Sequence, residues 1–389
     1  CMRLLPFGCH ARRSCGTLVY VAFYLAKLSF KAKYPQDSGG RKAQMSVTAK
    51  RIVLAKRPKG EVTPENFRLE DYEVPDPKAG EVVVRVTALS LDPYMRGRMD
   101  DAKSYAAPVE VDAVMEGGTV GEVIASNADG FAEGDVVFGM TGWCDHAVMS
   151  AKALTKVPQG VPPTAALGVL GMPGFTGWHG LTDIGKPKAG ETVVVAAATG
   201  PVGSMVGQYA KHLGLRAVGV AGGPDKCRHA VEHFGFDECL DHRAYADGKE
   251  MRKAIAEACP DGVDIYFENL GGKVLEGVLP NMNTFGRIPV CGMIAWYDLG
   301  GLGMGDGPGK DQLPRAWRTI LVNRLKVEGF IITDGWHRLK EFLGEVAPLV
   351  ANGTIKFTED VAEGLENAPE AFMSMLKGGN FGKQIVKIA

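Results

Sequence analysis

The chain of 389 residues has 46% hydrophobic and 23% charged side chains and a formal net charge of −1. That is the composition of a globular protein with a full core and enough length for two domains. A charge so near neutral argues against nucleic acid or an anionic membrane as the main partner.

Residues 1–44 differ from the rest. They hold eight basic side chains (Arg3, Arg12, Arg13, Lys27, Lys31, Lys33, Arg41 and Lys42) against one acid, Asp37, so the remainder carries 36 basic and 44 acidic side chains. The run "TLVYVAFYLA" is too short to span a bilayer. A basic, Ser-containing, acid-poor start is expected either as a transit peptide or as a disordered appendage with no part in the chemistry. "MSVTAKRIVLAKRP", from Met45, reads as the natural beginning of the folded part.

From about 50 to 165 the chain reads as short strands and turns. "GEVVVRVTALSLDP", "GGTVGEVIAS" and "GDVVFGMTGWCDHAVM" are β-rich runs bounded by Gly, Asp and Pro. "VPPTAALGVLGMPGFTGWHGL" opens a helical stretch. From 191 the pattern becomes β-α alternation. "ETVVVAAA" is a continuous apolar strand of the kind a parallel sheet buries on both faces. A helix over 201–213 follows, with Val202, Met205, Val206, Tyr209 and Leu213 at helical spacing and Gly214 as its cap. Strand "RAVGVAG", helix "PDKCRHAVEHFG" and strand "ECLDH" come next, then strands in "GVDIYFENLGG", "GRIPVCGMI" and "KVEGFII". The fold class is α/β, with a doubly wound parallel sheet. Helix "RLKEFLGEVAPLVANG" and strand "GKQIVKI" end the chain and are expected to return to the first domain. The domains read as 45–167 and 346–389 for the β-rich unit and 168–345 for the nucleotide-binding unit.

The eight cysteines include no C-x-x-C and no pair at metal-ligand spacing with a nearby His, so no metal is expected. Their place in apolar runs suits a reducing, cytoplasmic compartment.

"AAATGPVGS" (196–204) sits where a phosphate-binding turn belongs, between strand and helix. Ala197 stands in place of the first glycine of G-x-G-x-x-G. Gly200 lets the backbone approach a pyrophosphate, and Gly203 lets the helix pack on the strand. Pro201 begins the helix without loss, and free amides from Val202 onward face the phosphates along the helix dipole. An NAD site wants an acid about 20 residues on. Here Gly222 and Gly223 stand instead, followed by Lys226, which suits the 2′-phosphate of NADPH. Asp225 is the one contrary residue, and a place in the first helical turn accounts for it.

The β-rich unit followed by a Rossmann unit, with a returning tail, resembles the medium-chain dehydrogenase/reductase superfamily. In the zinc alcohol dehydrogenases of that group the first domain carries a Cys and a Gly-His-Glu. The matching stretches here, "LSLDPYMRGRM" (89–99) and "EGGTVGEV" (116–123), have neither Cys nor His. The closer resemblance, over 48–389, is to the zinc-free alkenal/one, prostaglandin and curcumin-type double-bond reductases. It rests on "LSLDPYMRGRM", "AAATGPVGSMVGQYAK", "YFENLGG", "GRIPVCGMIAWY", "EGFII" and "KGGNFGKQIVK" in that order. "DAKSYAAPV" points to the curcumin group.

The resemblance implies a GroES-like catalytic domain, NADPH as cofactor, and hydride delivery to the β-carbon of a hydrophobic enone or enal, followed by protonation of the enolate. A neutral tyrosine is a suitable donor to the enolate oxygen. Tyr94, Tyr105 and Tyr297 are the candidates, with no choice among them. The family pattern carries cofactor contacts onto Ala197, Gly200, Pro201, Val202, Gly203, Gly223, Lys226, His242, Asn269, the run Cys291, Gly292, Met293, Ile294 and Tyr297, then Phe330, Ile331, Ile332 and Asn380. His242 stands where relatives often have a tyrosine. A Gly-rich loop, 300–317, is a candidate lid, and the family implies a homodimer pairing edge strands near "KVEGFIIT". Quinone reduction and NADPH binding without turnover stand as alternatives.

Overall fold

The computed structural model describes residues 47–102, 104–158, 160–299 and 313–388. The expected extension over 1–44 lies outside the described residues, as does most of the candidate lid, 300–312.

β1 (Val47–Leu54) pairs antiparallel with β2 (Phe67–Val74). β3 (Glu81–Ser90) is buried at most positions and organises the larger β-rich sheet, and α1 (Tyr94–Arg98) follows its end. β4 (Thr119–Ser126), β5 (Val136–Gly139), β6 (His146–Ser150) and β7 (Thr155–Lys156) complete this part of the chain. Behind it, Trp143 stacks on Phe67 at 5.5 Å and meets the edge of Phe372, from the far end of the chain, at 5.6 Å.

α2 (Met172–His179) runs into a π-type turn over Gly180–Gly185 and leads to the parallel sheet. That sheet holds β8 (Thr192–Ala196), β9 (Arg216–Ala221), β10 (Glu238–Asp241), β11 (Val263–Phe267), β12 (Met282–Val290) and β13 (Lys326–Gly329). Their spatial order is β10-β9-β8-β11-β12-β13, all parallel, which is the doubly wound order with its switch point between β8 and β11. The unbroken apolar run of β8 has a direct cause. Val193 and Val195 pack with Phe175, Met205 and Val206 on one face; Val194 and Ala196 pack with Met251, Ile255 and Val274 on the other. The covering helices are α3 (Pro201–His212), α4 (Pro224–Glu232), α5 (Gly248–Ala258), α6 (Gly272–Val278) and α7 (Leu313–Asn323). α3 ends one residue before its expected limit, and Gly214 takes the left-handed conformation beyond it (φ +82°).

After α8 (Leu339–Ala351), β14 (Glu359–Glu363), α9 (Ala368–Leu376) and β15 (Lys383–Lys387), the chain ends inside the first sheet. β15 lies between β14, parallel to it, and β3, antiparallel to it, with Ile385 opposite Ser90. Among the described residues no helix is long and apolar enough to cross a membrane.

Candidate functional site

β8 delivers the chain to a sharp turn. Ala197 holds φ +52°, a left-handed conformation that glycine would adopt freely, and its carbonyl accepts the Gly200 amide at 3.0 Å. A Cβ on Gly203 would sit 2.3 Å from that same carbonyl oxygen, so the close approach of helix to strand requires glycine. The first bond inside α3 is Ser204 N to Gly200 O at 2.9 Å. The amides of Val202 and Gly203 precede it and point out of the helix N-terminus, a ready anion site.

At the end of β9, Gly223 (φ +108°) begins α4 and donates its amide to Asp241 Oδ1 at 2.8 Å. Asp241 also accepts the Arg243 amide at 2.9 Å. Lys226 donates to the carbonyl of Gly378, in the returning tail, at 2.8 Å. Burial, and then the neighbouring Arg243, hold the Lys226 ammonium below its ordinary pKa. His242 is likewise depressed, first by burial and then by Lys273. A Cβ on Gly222 would meet both His242 and Arg243, at 3.0 and 3.1 Å. The glycines at the strand end therefore make room for a cationic cluster whose members repel one another, and a phosphate monoester is the chemistry that relieves that repulsion. Asp225 lies elsewhere: it is exposed and pairs with Arg228 on the outer face of α4.

Across the switch point, the segment after β12 docks on the segment after β11. Cys291 and Gly292 donate to Glu268 O at 3.0 and 3.2 Å, Ile294 to Asn269 O at 3.4 Å, and Ala295 to Leu270 O at 3.0 Å. The Asn269 side chain donates to Ala196 O at 3.0 Å and so ties this segment to the end of β8. Burial pushes the Cys291 thiol up to about 12, with Glu268 adding to it, so this sulfur is not a thiolate nucleophile. The Met293 amide faces the Tyr297 hydroxyl at 3.5 Å. Phe330 leaves the end of β13 and meets the edge of Phe267 at 6.4 Å, Ile331 is half-buried beside it, and Ile332 is buried in the core. Asn380 uses its side-chain amide on Gly382 O at 2.7 Å, closing its own turn.

The three tyrosines converge, although 192 residues of chain separate Tyr105 from Tyr297. Tyr105 is close enough to both Tyr94 and Tyr297 to disfavour their ionisation, and Tyr94 and Tyr105 share the Arg98 guanidinium, at 5.8 and 5.0 Å from their ring centres. Burial dominates in each, raising the pKa of Tyr94 and Tyr105 and pushing Tyr297 up to about 12, so all three hydroxyls stay protonated donors at neutral pH. α1 is fixed against the other half of the site by Arg96, whose guanidinium contacts Asp298 at 3.4 Å and Asp100 at 2.7 Å.

Three functional groups escaped the sequence reading. Arg243 stood beside His242 in "LDHR", where a cation at the end of the third strand was a visible signal. Glu268, buried at the foot of the Cys291 segment, accepts the Leu270 and Gly271 amides at 2.6 and 2.8 Å and shapes that turn. Lys383 of β15 reaches Leu91 O and Asp92 Oδ1, at 2.6 and 3.0 Å, and so fixes the segment that leads into Tyr94. No pattern in the sequence marked the last two.

Residues 50–157 match a family model described as the N-terminal domain of oxidoreductase, and residues 201–347 match one described as zinc-binding dehydrogenase. Among the described residues no three His, Cys, Asp or Glu side chains gather as a metal site. The chain is 51% identical over 344 residues to the NADPH-dependent curcumin reductase of Escherichia coli (strain K12), covering 87% of this chain and 97% of that one. It is 39% identical over 316 residues to the 2-alkenal reductase (NADP(+)-dependent) of Nicotiana tabacum, covering 80% and 88%. The crystal structure of CurA in complex with NADPH from Vibrio vulnificus superposes with a TM-score of 0.81 at 48% identity, covering 88% of this chain and 99% of that one. The chain belongs to the medium-chain dehydrogenase/reductase family, in the zinc-independent branch that holds the curcumin and 2-alkenal reductases.

Proposed function

We propose that this protein reduces the activated C=C bond of α,β-unsaturated ketones and aldehydes with NADPH. The observation that carries this reading is geometric: Tyr94 and Tyr105 flank the Arg98 guanidinium, at 5.8 and 5.0 Å, and the Tyr297 hydroxyl faces the Met293 amide at 3.5 Å on the segment Cys291–Tyr297. NADPH, when bound, supplies the hydride. Val202 and Gly203 amides would hold its pyrophosphate, Lys226 and Arg243 its 2′-phosphate, and the Cys291–Ile294 backbone its carboxamide. The substrate's carbonyl oxygen takes up negative charge as the β-carbon is reduced. A tyrosine hydroxyl pre-aimed at that oxygen stabilises it without reorganisation, and the α-carbon then gains a proton.

The assembly we propose is a homodimer. β13 is an edge strand of the parallel sheet, and α7 beside β12 exposes Trp317, Leu321 (76% exposed) and Val322, an apolar surface that a second copy would cover. The five described cysteines are all free, which fits a cytoplasmic site of action. The domain limits 45–167 with 346–389, and 168–345, fit the return of β15 to β3.

Incubation with NADPH and 3-nonen-2-one tests the activity. Loss of NADPH absorbance with the saturated ketone as product is expected, with deuterium from C4-labelled NADPH at the β-carbon. Recovery of the allylic alcohol would overturn it. Sedimentation tests the dimer: a monomer at micromolar concentration removes that part.

A further inference from the structure

Arg98 closes α1 beside the tyrosine cluster. Its guanidinium carbon lies 5.0 Å from the centre of the Tyr105 ring and 5.8 Å from that of Tyr94. The side chain is 14% exposed, and its Nε, buried, makes no hydrogen bond. Glu116 comes within 3.3 Å of that nitrogen and is itself partly exposed, while Nη1 reaches Ala107 O only at 3.4 Å. Arg96, two residues earlier, shares the unbonded Nε but differs in its outer nitrogens, which reach Asp100 and Gly60 O at 2.7 and 2.8 Å. Arg96 is thus a structural rivet, whereas Arg98 is a charge held against two aromatic hydroxyl bearers with donor capacity left over. A guanidinium suits that place because it stacks on rings and keeps its charge when buried.

We propose that Arg98 is the positioning cation of the enolate site, holding Tyr105 in place and stabilising the negative charge that develops on the substrate oxygen and the tyrosine hydroxyl. This rests on the double-bond reductase reading. The β-carbon gains the hydride that bound NADPH would supply, the C=C pair becomes the enolate double bond between the α-carbon and the carbonyl carbon, and the C=O pair comes to rest on the oxygen. The enolate C=C pair then forms a C–H bond at the α-carbon with the proton of the Tyr105 hydroxyl, and the oxygen pair restores the C=O bond. The tyrosinate left behind is reprotonated from solvent, which the half-exposed Tyr105 reaches. Arg98 neither gives nor receives a proton. Its charge opposes the effect of burial on Tyr105, while Glu116 works against it.

The test compares Arg98→Gln, Arg98→Lys and Glu116→Gln in the full chain with NADPH and 3-nonen-2-one. Steady-state kinetics are measured across pH, and NADPH binding is followed by its fluorescence. Arg98→Gln is expected to lower kcat roughly tenfold and to move the alkaline limb of kcat upward by about one pH unit, with the NADPH Kd unchanged. Arg98→Lys restores part of kcat. Glu116→Gln moves the limb the other way, and it carries the test if Arg98→Gln does not fold. A kcat within twofold of wild type, or a lower kcat with an unmoved limb in both Arg98→Gln and Glu116→Gln, overturns the proposal. Wild-type protein inactive on every enone would instead sink the reading beneath it.

Discussion

Gly203→Ala is the sharpest test of how the turn works. The added methyl would lie 2.3 Å from the Ala197 carbonyl oxygen, 2.9 Å from its carbon and 3.0 Å from the Ala198 Cα. These are backbone atoms, so no side chain can swing aside. Restoring an ordinary contact needs a shift of about 1 Å between β8 and α3, and overpacking of this kind costs about 1–3 kcal/mol. The shift falls on the turn that presents the Val202 and Gly203 amides. Losing one hydrogen bond to a charged phosphate costs about 1.5–3 kcal/mol. At about 1.4 kcal/mol per tenfold, the NADPH Kd rises roughly ten- to hundredfold. Fluorescence titration reads the affinity, and denaturant unfolding of the apo protein reads the packing cost. A variant that binds NADPH within twofold of wild type and unfolds at the same midpoint would refute the reasoning. Ala197→Gly is the counterpart: it relieves a left-handed alanine and is expected to leave binding intact while changing stability by no more than about 1 kcal/mol.

Further expectations concern charge. Lys226→Ala and Arg243→Ala should each raise the NADPH Kd by roughly ten- to hundredfold while leaving NADH binding nearly unchanged; equal losses for both cofactors would remove these residues from the 2′-phosphate. Lys383→Ala leaves Asp92 buried without its cation and should destabilise by about 3–5 kcal/mol. The double variant Lys383→Met with Asp92→Leu should recover much of that in denaturant melts; a double variant no better than the single one contradicts this. Tyr297, pushed up to about 12, holds its proton more tightly folded than unfolded. Its contribution to stability is whole below pH 10 and fades as pH rises through 12. Tyr297→Phe should flatten the alkaline fall in unfolding free energy, and an unchanged pH slope would count against the burial of that hydroxyl.

Local features were legible in the sequence because their physics is local. The turn at Ala197, Gly200 and Gly203 is fixed by neighbours within seven residues, and β8 announces two-sided burial through an unbroken apolar run. The site was only half legible. Tyr94, Tyr105 and Tyr297 stood out by residue type, but their convergence comes from α1 docking on the segment after β12. Arg243 lies beside Lys226 because β10 pairs with β9, a fact of topology. Lys383 meets Asp92 across 291 residues of chain. "KVEGFII" reads as one strand, yet pairing with β12 stops at Gly329 and Phe330 packs on Phe267 and His179. Hydrophobicity alone does not separate a residue that continues a ladder from one that leaves it.

The position of β15 also governs the order of events during synthesis. β3 is made early, yet one of its neighbours is the last strand of the chain, about 300 residues later. β6 pairs with Glu81–Arg85 of that edge, but at about 5–20 residues per second the stretch Ala88–Ser90 waits roughly 15–60 s on the ribosome for its partner. The parallel sheet, contiguous from Thr192 to Gly329, is free to close before that partner emerges. The nascent chain thus passes through a stage in which the nucleotide-binding half is formed while the Ala88–Ser90 edge of β3 stands open. That edge is where chaperone engagement and aggregation of shortened chains should concentrate, and a chain lacking Lys383–Lys387 would stay in that stage permanently.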